Sequence, residues 1–141
     1  MDAREGGGGV EVVVVSPARP LHRGEASFVV VPAWDGQLGV APRHAELVAA
    51  LGIGALRVDR PGKGGAPERF AVNGGFLKVG KGRVTVLVDQ AVRPEEVDGT
   101  AVRRELEEAL AALRRPGSDE EFERLLARRA WAQARLSLAS S

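Results

Sequence analysis

The composition of the chain changes sharply near Pro94, and this change constrains the fold more than any other feature. Residues 1–93 hold most of the Gly, Val and Pro, whereas residues 94–141 are rich in Ala, Leu, Arg and Glu. β-Branched Val favours strands, Gly and Pro mark turns, and Ala, Leu, Arg and Glu are strong helix formers. The sequence therefore predicts a front part of strands and turns, followed by helices.

Short β-branched runs alternate with turn residues such as Pro20, Pro32, Gly52 and Asn73-Gly74 throughout the front part. Several strands of five or six residues at about ten-residue spacing are typical of an all-β sandwich or barrel. The run Val12–Val15 is apolar at every position, which predicts a strand covered on both faces. The candidate strands are Val10–Val15, Ala26–Val31, Gly36–Val40, Glu46–Leu51, Gly54–Val58, Glu68–Val72, Gly75–Val79 and Arg83–Val88.

Two amphipathic segments fill the back part. The first has apolar residues at helical spacing from Val102 to Leu113, and Asp98 or Thr100 is placed to cap its start. Pro116-Gly117 ends it, and Ser118 with Glu121 forms a capping-box pattern for a second helix that runs to about Ala139. A break this short predicts an antiparallel helical hairpin.

The predicted fold class is therefore α+β, with an N-terminal antiparallel β-sandwich over residues 10–93 and a C-terminal antiparallel α-helical hairpin over residues 94–141. Residues 1–9, which end in four glycines, are expected to be a disordered tail because ordering glycine is entropically costly. The hairpin interior is rich in alanine, and each alanine buries little area. We therefore expect a docking on the sandwich that is weak enough to be released.

Several function classes are excluded by composition. The chain has no cysteine and only two histidines, which excludes thiol chemistry and a His-rich metal centre. A net charge of +1 is low for a nucleic-acid binder, and no apolar run approaches the roughly 18 residues of a membrane span. No motif surrounds His22 or His44 that would make either a catalytic base. We expect no catalytic residue, no metal, no cofactor, no nucleic-acid partner and no direct membrane insertion.

The segment Pro32–Ala45 differs from a plain core strand, because it combines prolines and glycines with Trp34 and a lone His44. Pro and Gly fix a tight, shaped turn, and apolar side chains such as Leu38 beside it indicate a contact surface. The alternative is that Leu38 and Val40 form a short buried strand and that His44 is satisfied within a turn.

Four stretches resemble one known family, the epsilon subunit of F-type ATP synthases, called delta in mitochondria. Val15–Ala26 is similar to its opening, and Asp35–Leu47 resembles its G-x-L-G-[IV]-x-P-x-H-A motif. Asn73–Val79 followed by Arg83–Val88 resembles the hairpin G-G-F-[LV]-E-V…V-T-[VI]-L. Arg129–Leu136 is similar to the family's R-A-x-x-R-L-type ending, so the likeness spans about residues 10–138.

The resemblance implies a non-catalytic subunit of the central stalk in a proton-translocating ATP synthase. The sandwich would bind the gamma subunit and sit on the c-ring, coupling the two during ATP synthesis. The hairpin would lie folded on the sandwich or extend toward the alpha and beta subunits, and the extended form would inhibit ATP hydrolysis. The location implied is peripheral, on the cytoplasmic side of a bacterial cell membrane.

The same resemblance assigns roles to individual residues. The c-ring-facing tip would comprise Asp35, Gly36, Gln37, Leu38, Pro42 and His44. Gln37 stands where many relatives have an acid, which favours a neutral hydrogen bond there. The inhibitory contacts of the extended hairpin would be made by Arg124, Arg128, Arg129 and Arg135.

Some bacterial relatives bind ATP through an [IL]-D-x-x-R-A motif, which aligns with Val97–Val102. Asp98 is present, but Ala101 replaces the arginine that would pair with phosphate. We expect weak or absent ATP binding. The alternative from another functional class is a free-standing β-sandwich adaptor that binds a protein or RNA partner.

Overall fold

The computed structural model describes residues 9–33, 35–62, 65–115 and 117–140. Apart from Gly9, the tail predicted over residues 1–9 lies outside these ranges, as does Trp34. Over the described residues the chain forms seven strands, one 3₁₀ turn and two helices. In chain order they are β1 (Val10–Val15), β2 (Pro20–Ala26), β3 (Phe28–Ala33), β4 (Gly36–Val40), β5 (Leu47–Asp59), β6 (Glu68–Gly80), β7 (Arg83–Val92), the 3₁₀ turn (Pro94–Glu96), α1 (Gly99–Leu113) and α2 (Asp119–Ser140).

The strands hydrogen-bond in the order β2-β1-β7-β6-β5-β3-β4. Among the described strands every pairing is antiparallel except that of β1 with β7, which is parallel. Each of these strands contributes buried side chains, such as Val12, Val31 and Leu77, to one apolar cluster. When all strands of a sheet contribute side chains to one core, the sheet folds over so that its two layers pack face to face. This confirms the predicted sandwich followed by a helical hairpin.

The two longest strands, β5 and β6, carry the sheet from one layer of the sandwich to the other. In β6 the residues that enter the sandwich core are Phe70 and Val72 in the first half but Leu77 and Val79 in the second half. The alternation switches at Gly74-Gly75, where φ is +77° and +130°. Glycines at such corners let a strand bend without losing its ladder.

Gly75 also permits a very close approach between β6 and β7. A Cβ atom at this position would lie 1.9 Å from the carbonyl oxygen of Leu87 and 2.8 Å from the Cα atom of Val88. Those are backbone atoms, so they cannot move aside as a flexible side chain would. The corner of the sandwich therefore requires glycine at position 75.

The strand boundaries differ from the predicted ones at Pro32, Gly52 and Asn73-Gly74, where the sequence indicates a turn but the strand continues. The strands predicted over residues 46–51 and 54–58 are one strand, β5, and those over 68–72 and 75–79 are one strand, β6. Pro32 lies inside β3, at the point where the β3–β5 ladder is interrupted between Val30 and Ala33. Proline has no backbone N–H to donate, and this loss is tolerated where the ladder is already interrupted.

Strand β2 has no counterpart among the predicted strands. It lies at the edge of the sheet and pairs with β1 alone among the described strands. Its exposed Arg23 and Glu25 and its Gly24 resemble a loop in composition. An edge strand with one solvated face does not need an apolar pattern.

The helix starts follow the predicted capping chemistry. Asp98, rather than Thr100, caps α1, because its Oδ1 accepts a hydrogen bond of 3.2 Å from the Ala101 amide. Ser118 Oγ accepts from the Glu121 amide at 3.1 Å, and Glu121 Oε2 reaches back to the Gly117 amide at 3.1 Å. Both helices thus begin at side chains that satisfy otherwise unpaired N–H groups.

The hairpin contacts the sandwich through its second helix. α1 packs on α2, and α2 contacts β5 and β6. Ala71 of β6 and Ala132 of α2 are fully buried although neither belongs to the sandwich core, and Leu138 is nearly so. Small alanines are thus buried beside the larger Leu138, while Ala111 and Ala127, which the sequence places in the hairpin interior, are exposed.

The junction between sandwich and hairpin is held by charged side chains. Arg19, in the β1–β2 connection, donates to both carboxylate oxygens of Glu96 at 2.8 and 2.7 Å. The backbone N–H of Arg93 donates to the same carboxylate at 2.7 Å. The Arg93 guanidinium in turn donates to the Leu21 carbonyl at 2.6 Å and lies 4.7 Å from the centre of the Phe70 ring. These bonds fix the 3₁₀ turn to β2 and β6.

We predict that Gly75→Ala destabilises the fold far more than Gly36→Ala, which serves as a matched control. Gly36 has nearly the same φ, +131°, but a Cβ there would meet no atom within 4 Å. Both variants carry backbone strain, while only Gly75→Ala adds a clash worth about 1–3 kcal/mol. Urea denaturation measures the difference. Equal losses in the two variants would contradict the close approach of β6 and β7.

We also predict that the pKa of the Glu96 carboxyl lies below its ordinary value. The Arg93 backbone N–H is the larger cause and the Arg19 guanidinium the second. Because the folded-state pKa is lowered, the stabilisation is present above the unfolded-state pKa and is lost as pH falls through the folded-state value. Carboxyl-detected NMR titration should show an upward shift in Arg19→Ala and none in the control Arg23→Ala. An unchanged pKa in Arg19→Ala would contradict the ion pair.

Candidate functional site

The residues predicted to form one tip lie at two turns. Asp35 lies in the connection from β3 to β4 and Gly36 begins β4, whereas Pro42 and His44 lie between β4 and β5. Strand β4 separates the turns by about 15 Å, since a strand rises about 3.3 Å per residue. Gln37 is exposed beside the first turn, and the half-buried Leu38 packs against the core. The set therefore does not form a single cluster.

His44 is satisfied within its own turn. Its backbone N–H donates to the Ala41 carbonyl at 3.2 Å, and its Nδ1 lies 2.8 Å from the Ala45 carbonyl oxygen. Because a carbonyl only accepts, Nδ1 carries the proton in this arrangement. The preceding Arg43 has φ of +68°, which tightens the turn. The geometry matches the alternative of a turn histidine.

The four arginines of α2 divide into two pairs. Arg124 and Arg128 are exposed. Arg135 is mostly buried, forms a 2.7 Å ion pair with Glu105 of α1 and stacks over Trp131 at 4.9 Å. The Nε of Arg129 is buried and has no hydrogen-bond partner within the described part of the chain. In this folded hairpin, then, only Arg124 and Arg128 are fully presented to a partner.

Asp98 caps α1, so its carboxylate already has a structural role. The side chain at position 101, which would carry a phosphate-binding guanidinium in the ATP-binding motif, is an exposed alanine. Across the described residues, no group of three or more His, Cys, Asp or Glu side chains is arranged to hold a metal ion. None of the helices there is long and apolar enough to cross a membrane.

An exposed apolar surface is the feature that sequence reasoning missed. Val48 is 71% exposed, Phe76 59% and Leu87 50%. Strand pairing places them together, because Phe76 lies opposite Ala50 of β5 on one side and Leu87 of β7 on the other. Val48 lies two residues before Ala50 in β5, on the same face of the sheet. We call this surface the apolar face; it comprises Val13, Val15, Val48, Ala50, Phe76 and Leu87.

Val13 and Val15 extend the apolar face onto β1. They are half-buried, so the prediction that β1 is covered on both faces is wrong. Val15 pairs with Leu87, which continues the row Ala50–Phe76–Leu87 across four strands. The sequence has apolar residues on both faces of β1. This pattern alone does not tell whether both faces are buried or one of them is an exposed apolar surface.

The apolar face and the hairpin occupy different halves of the same strands. α2 lies over the second half of β5 and the first half of β6, where Ile53, Ala55 and Arg69 border it. An open cavity of about 570 Å³ is lined by these residues together with Ala130, Gln133 and Ala134 of α2, and it extends to Gln37. The hairpin therefore borders an open cavity where it meets the sandwich, and it leaves the apolar face uncovered.

Comparison with known proteins gives consistent results for sequence and fold. The family model described as ATP synthase, Delta/Epsilon chain, beta-sandwich domain matches residues 9–94. The ATP synthase epsilon chain of Pelotomaculum thermopropionicum is 42% identical over 101 residues, covering 70% of this chain and 73% of that protein. The epsilon chain of Xanthomonas campestris pv. campestris is 39% identical over 125 residues, covering 89% of this chain and 86% of that one.

Two solved structures share the fold. A chain of the Euglena gracilis mitochondrial ATP synthase, solved as OSCP/F1/c-ring, superposes with a TM-score of 0.82 at 23% identity, covering 95% of this chain and 82% of that chain. A chain of the Tetrahymena thermophila enzyme, from its central stalk and c-ring, gives 0.69 at 12% identity, covering 92% and 95%. Together with the family model and the bacterial relatives, this shows that the chain belongs to the ATP synthase delta/epsilon family.

Proposed function

We propose that the chain is a non-catalytic rotor subunit in the central stalk of a proton-translocating F-type ATP synthase. It joins the gamma subunit to the c-ring during ATP synthesis, as a peripheral subunit on the cytoplasmic side of a bacterial cell membrane. The observation that carries this proposal is the apolar face, since a sandwich that already has its own core and its own helices still exposes Phe76, Leu87 and Val48.

The energetics of the apolar face favour a stable partner. Burying a side chain such as Val, Leu or Phe contributes about 1.5–3 kcal/mol. Contiguous exposed apolar patches on a folded domain are typical of protein-binding sites. The gamma subunit is the partner that family membership suggests, and an interface that must stay closed through rotation benefits from an apolar centre.

The c-ring contact is assigned to the turn at Asp35–Gly36 with the neighbouring Gln37. This turn projects from the end of the β3–β4 hairpin, and Gln37 is exposed. An uncharged amide both donates and accepts, so its contact with the ring is a neutral hydrogen bond rather than a salt bridge. Pro42 and His44, at the other end of β4, contribute by shaping the second turn.

Inhibition of ATP hydrolysis is assigned to the hairpin in an extended state. The buried Ala132, which adds little apolar area, and the open cavity beside α2 support a docked state that is only modestly favoured. Arg124 and Arg128 are exposed already, and opening the hairpin frees Arg129 and Arg135 to meet acidic groups of the alpha and beta subunits. Nucleotide plays no part in this scheme, because Asp98 caps a helix and Ala101 offers no cation.

We predict that Phe76→Asp weakens binding to the gamma subunit about thirtyfold or more, as expected for a residue worth about 2 kcal/mol in an interface. Phe122→Asp is the matched control, because Phe122 is also an exposed phenylalanine but lies on α2. Biolayer interferometry with immobilised gamma measures both. Equal affinities for the two variants would exclude the apolar face as the gamma site.

We further predict that a chain ended after Val97 relieves inhibition without losing the coupling role. This chain retains Glu96 and its bonds to Arg19 and Arg93 while removing both helices. In a reconstituted complex, ATP hydrolysis should be faster with the shortened chain than with the full chain. Binding to gamma is the control and should be unchanged. An unchanged hydrolysis rate would remove the inhibitory assignment and leave the docking assignment in place.

A further inference from the structure

A lysine stands within the apolar face. Lys78 lies two residues beyond Phe76 in β6, with Val48 opposite it on β5 and Thr85 opposite it on β7. Its side chain is exposed and points to the same side of the sheet as Phe76 and Val48. Within the described residues it has no ion pair and no side-chain hydrogen bond. The charge is therefore available to a partner that covers this face.

Lys78 borders an open cavity of about 600 Å³ at the edge of the apolar face. The charged residues that line it are Lys78, Lys81, Arg83 and Glu46. Arg83 is already neutralised, since its Nε donates to Glu11 at 2.6 Å. Two lysines then face the cavity against the single carboxylate of Glu46, so the cavity carries an excess positive charge among the described groups.

Covering the apolar face with a purely apolar surface would be costly at this position. A buried ammonium group without a counter-charge loses its hydration and gains nothing in return. A partner carboxylate beside Lys78 removes that cost and adds a charge-assisted hydrogen bond. Val48 lies opposite Lys78, so the aliphatic part of the lysine has an apolar neighbour along which it can lie while its ammonium group meets the carboxylate.

We propose that the surface of the gamma subunit that covers the apolar face carries an Asp or Glu side chain, which seats in the cavity between Lys78 and Lys81. This inference rests on the proposed docking of gamma to the apolar face. In this proposal Phe76 and Leu87 supply the affinity for gamma. Lys78 determines which surface of gamma binds and in which orientation.

The test measures binding of the full-length chain to its own gamma subunit at two salt concentrations. Lys78→Glu should weaken binding about tenfold or more at low salt, because like charges then meet. Lys78→Met, which keeps the length but not the charge, should weaken it less, and its affinity should depend less on salt than that of the unaltered chain. Arg103→Glu on α1 is the control for the change in net charge and should bind normally.

Zero-length carbodiimide cross-linking of the complex supplies a second readout, since it joins an amine to a carboxylate in contact with it. Mass spectrometry should identify Lys78 or Lys81 linked to an acidic residue of gamma. Changing that acid to Lys should restore binding of Lys78→Glu.

The outcomes separate the two proposals. If Phe76→Asp abolishes binding but Lys78→Glu binds as well as Arg103→Glu, the acidic contact is wrong and the docking assignment stands. If the unaltered chain fails to bind gamma, both proposals fail. Circular dichroism checks folding, and Lys78→Glu should give the spectrum of the unaltered chain because Lys78 is exposed.

Discussion

The close approach of β6 to β7 at Gly75 is the constraint on which the rest of the structure depends. No side chain fits between Gly75 and the backbone of Leu87, and the positive φ angles of Gly74 and Gly75 bend the strand without ending it. That bend lets two long strands serve both layers of the sandwich. It also separates the outward surface of one half of each strand from that of the other half, so the two surfaces have different neighbours.

The division of these strands accounts for the proposed functional organisation. One half of β5 and β6 lies beneath α2, and the other half leaves Val48, Ala50 and Phe76 exposed. Since the two surfaces do not overlap, the proposed movement of the hairpin leaves the proposed gamma site unchanged. The bonds of Glu96 to Arg19 and Arg93 keep the 3₁₀ turn with the sandwich, although the predicted domain boundary lies at residue 93. We therefore expect the hairpin to pivot near Val97.

The sequence predicted the architecture well and the surfaces poorly, for physical reasons. Helix caps depend on local chemistry, so neighbouring residues alone identified Ser118 and narrowed the cap of α1 to Asp98 or Thr100. Gly52 and Gly74 have the same local signal whether they end a strand or bend it, and only pairing with a neighbouring strand decides between the two. Phe76 and Leu77 are both apolar, and which of them faces water depends on what covers each side of the sheet. The ion pair between Arg135 and Glu105 was likewise hidden, because it joins two helices whose relative rotation is set by packing.

The central claim is that the apolar face, and not the hairpin, is the surface by which this chain attaches to the stalk. Hydroxyl-radical footprinting of the full chain, alone and with gamma, tests it most directly, because oxidation reports side-chain exposure residue by residue. The account predicts strong protection of Phe76 and Leu87 on binding, with Leu110 and Phe122 of the helices oxidised as before. Protection of the helical residues with Phe76 still oxidised at its free rate would contradict it.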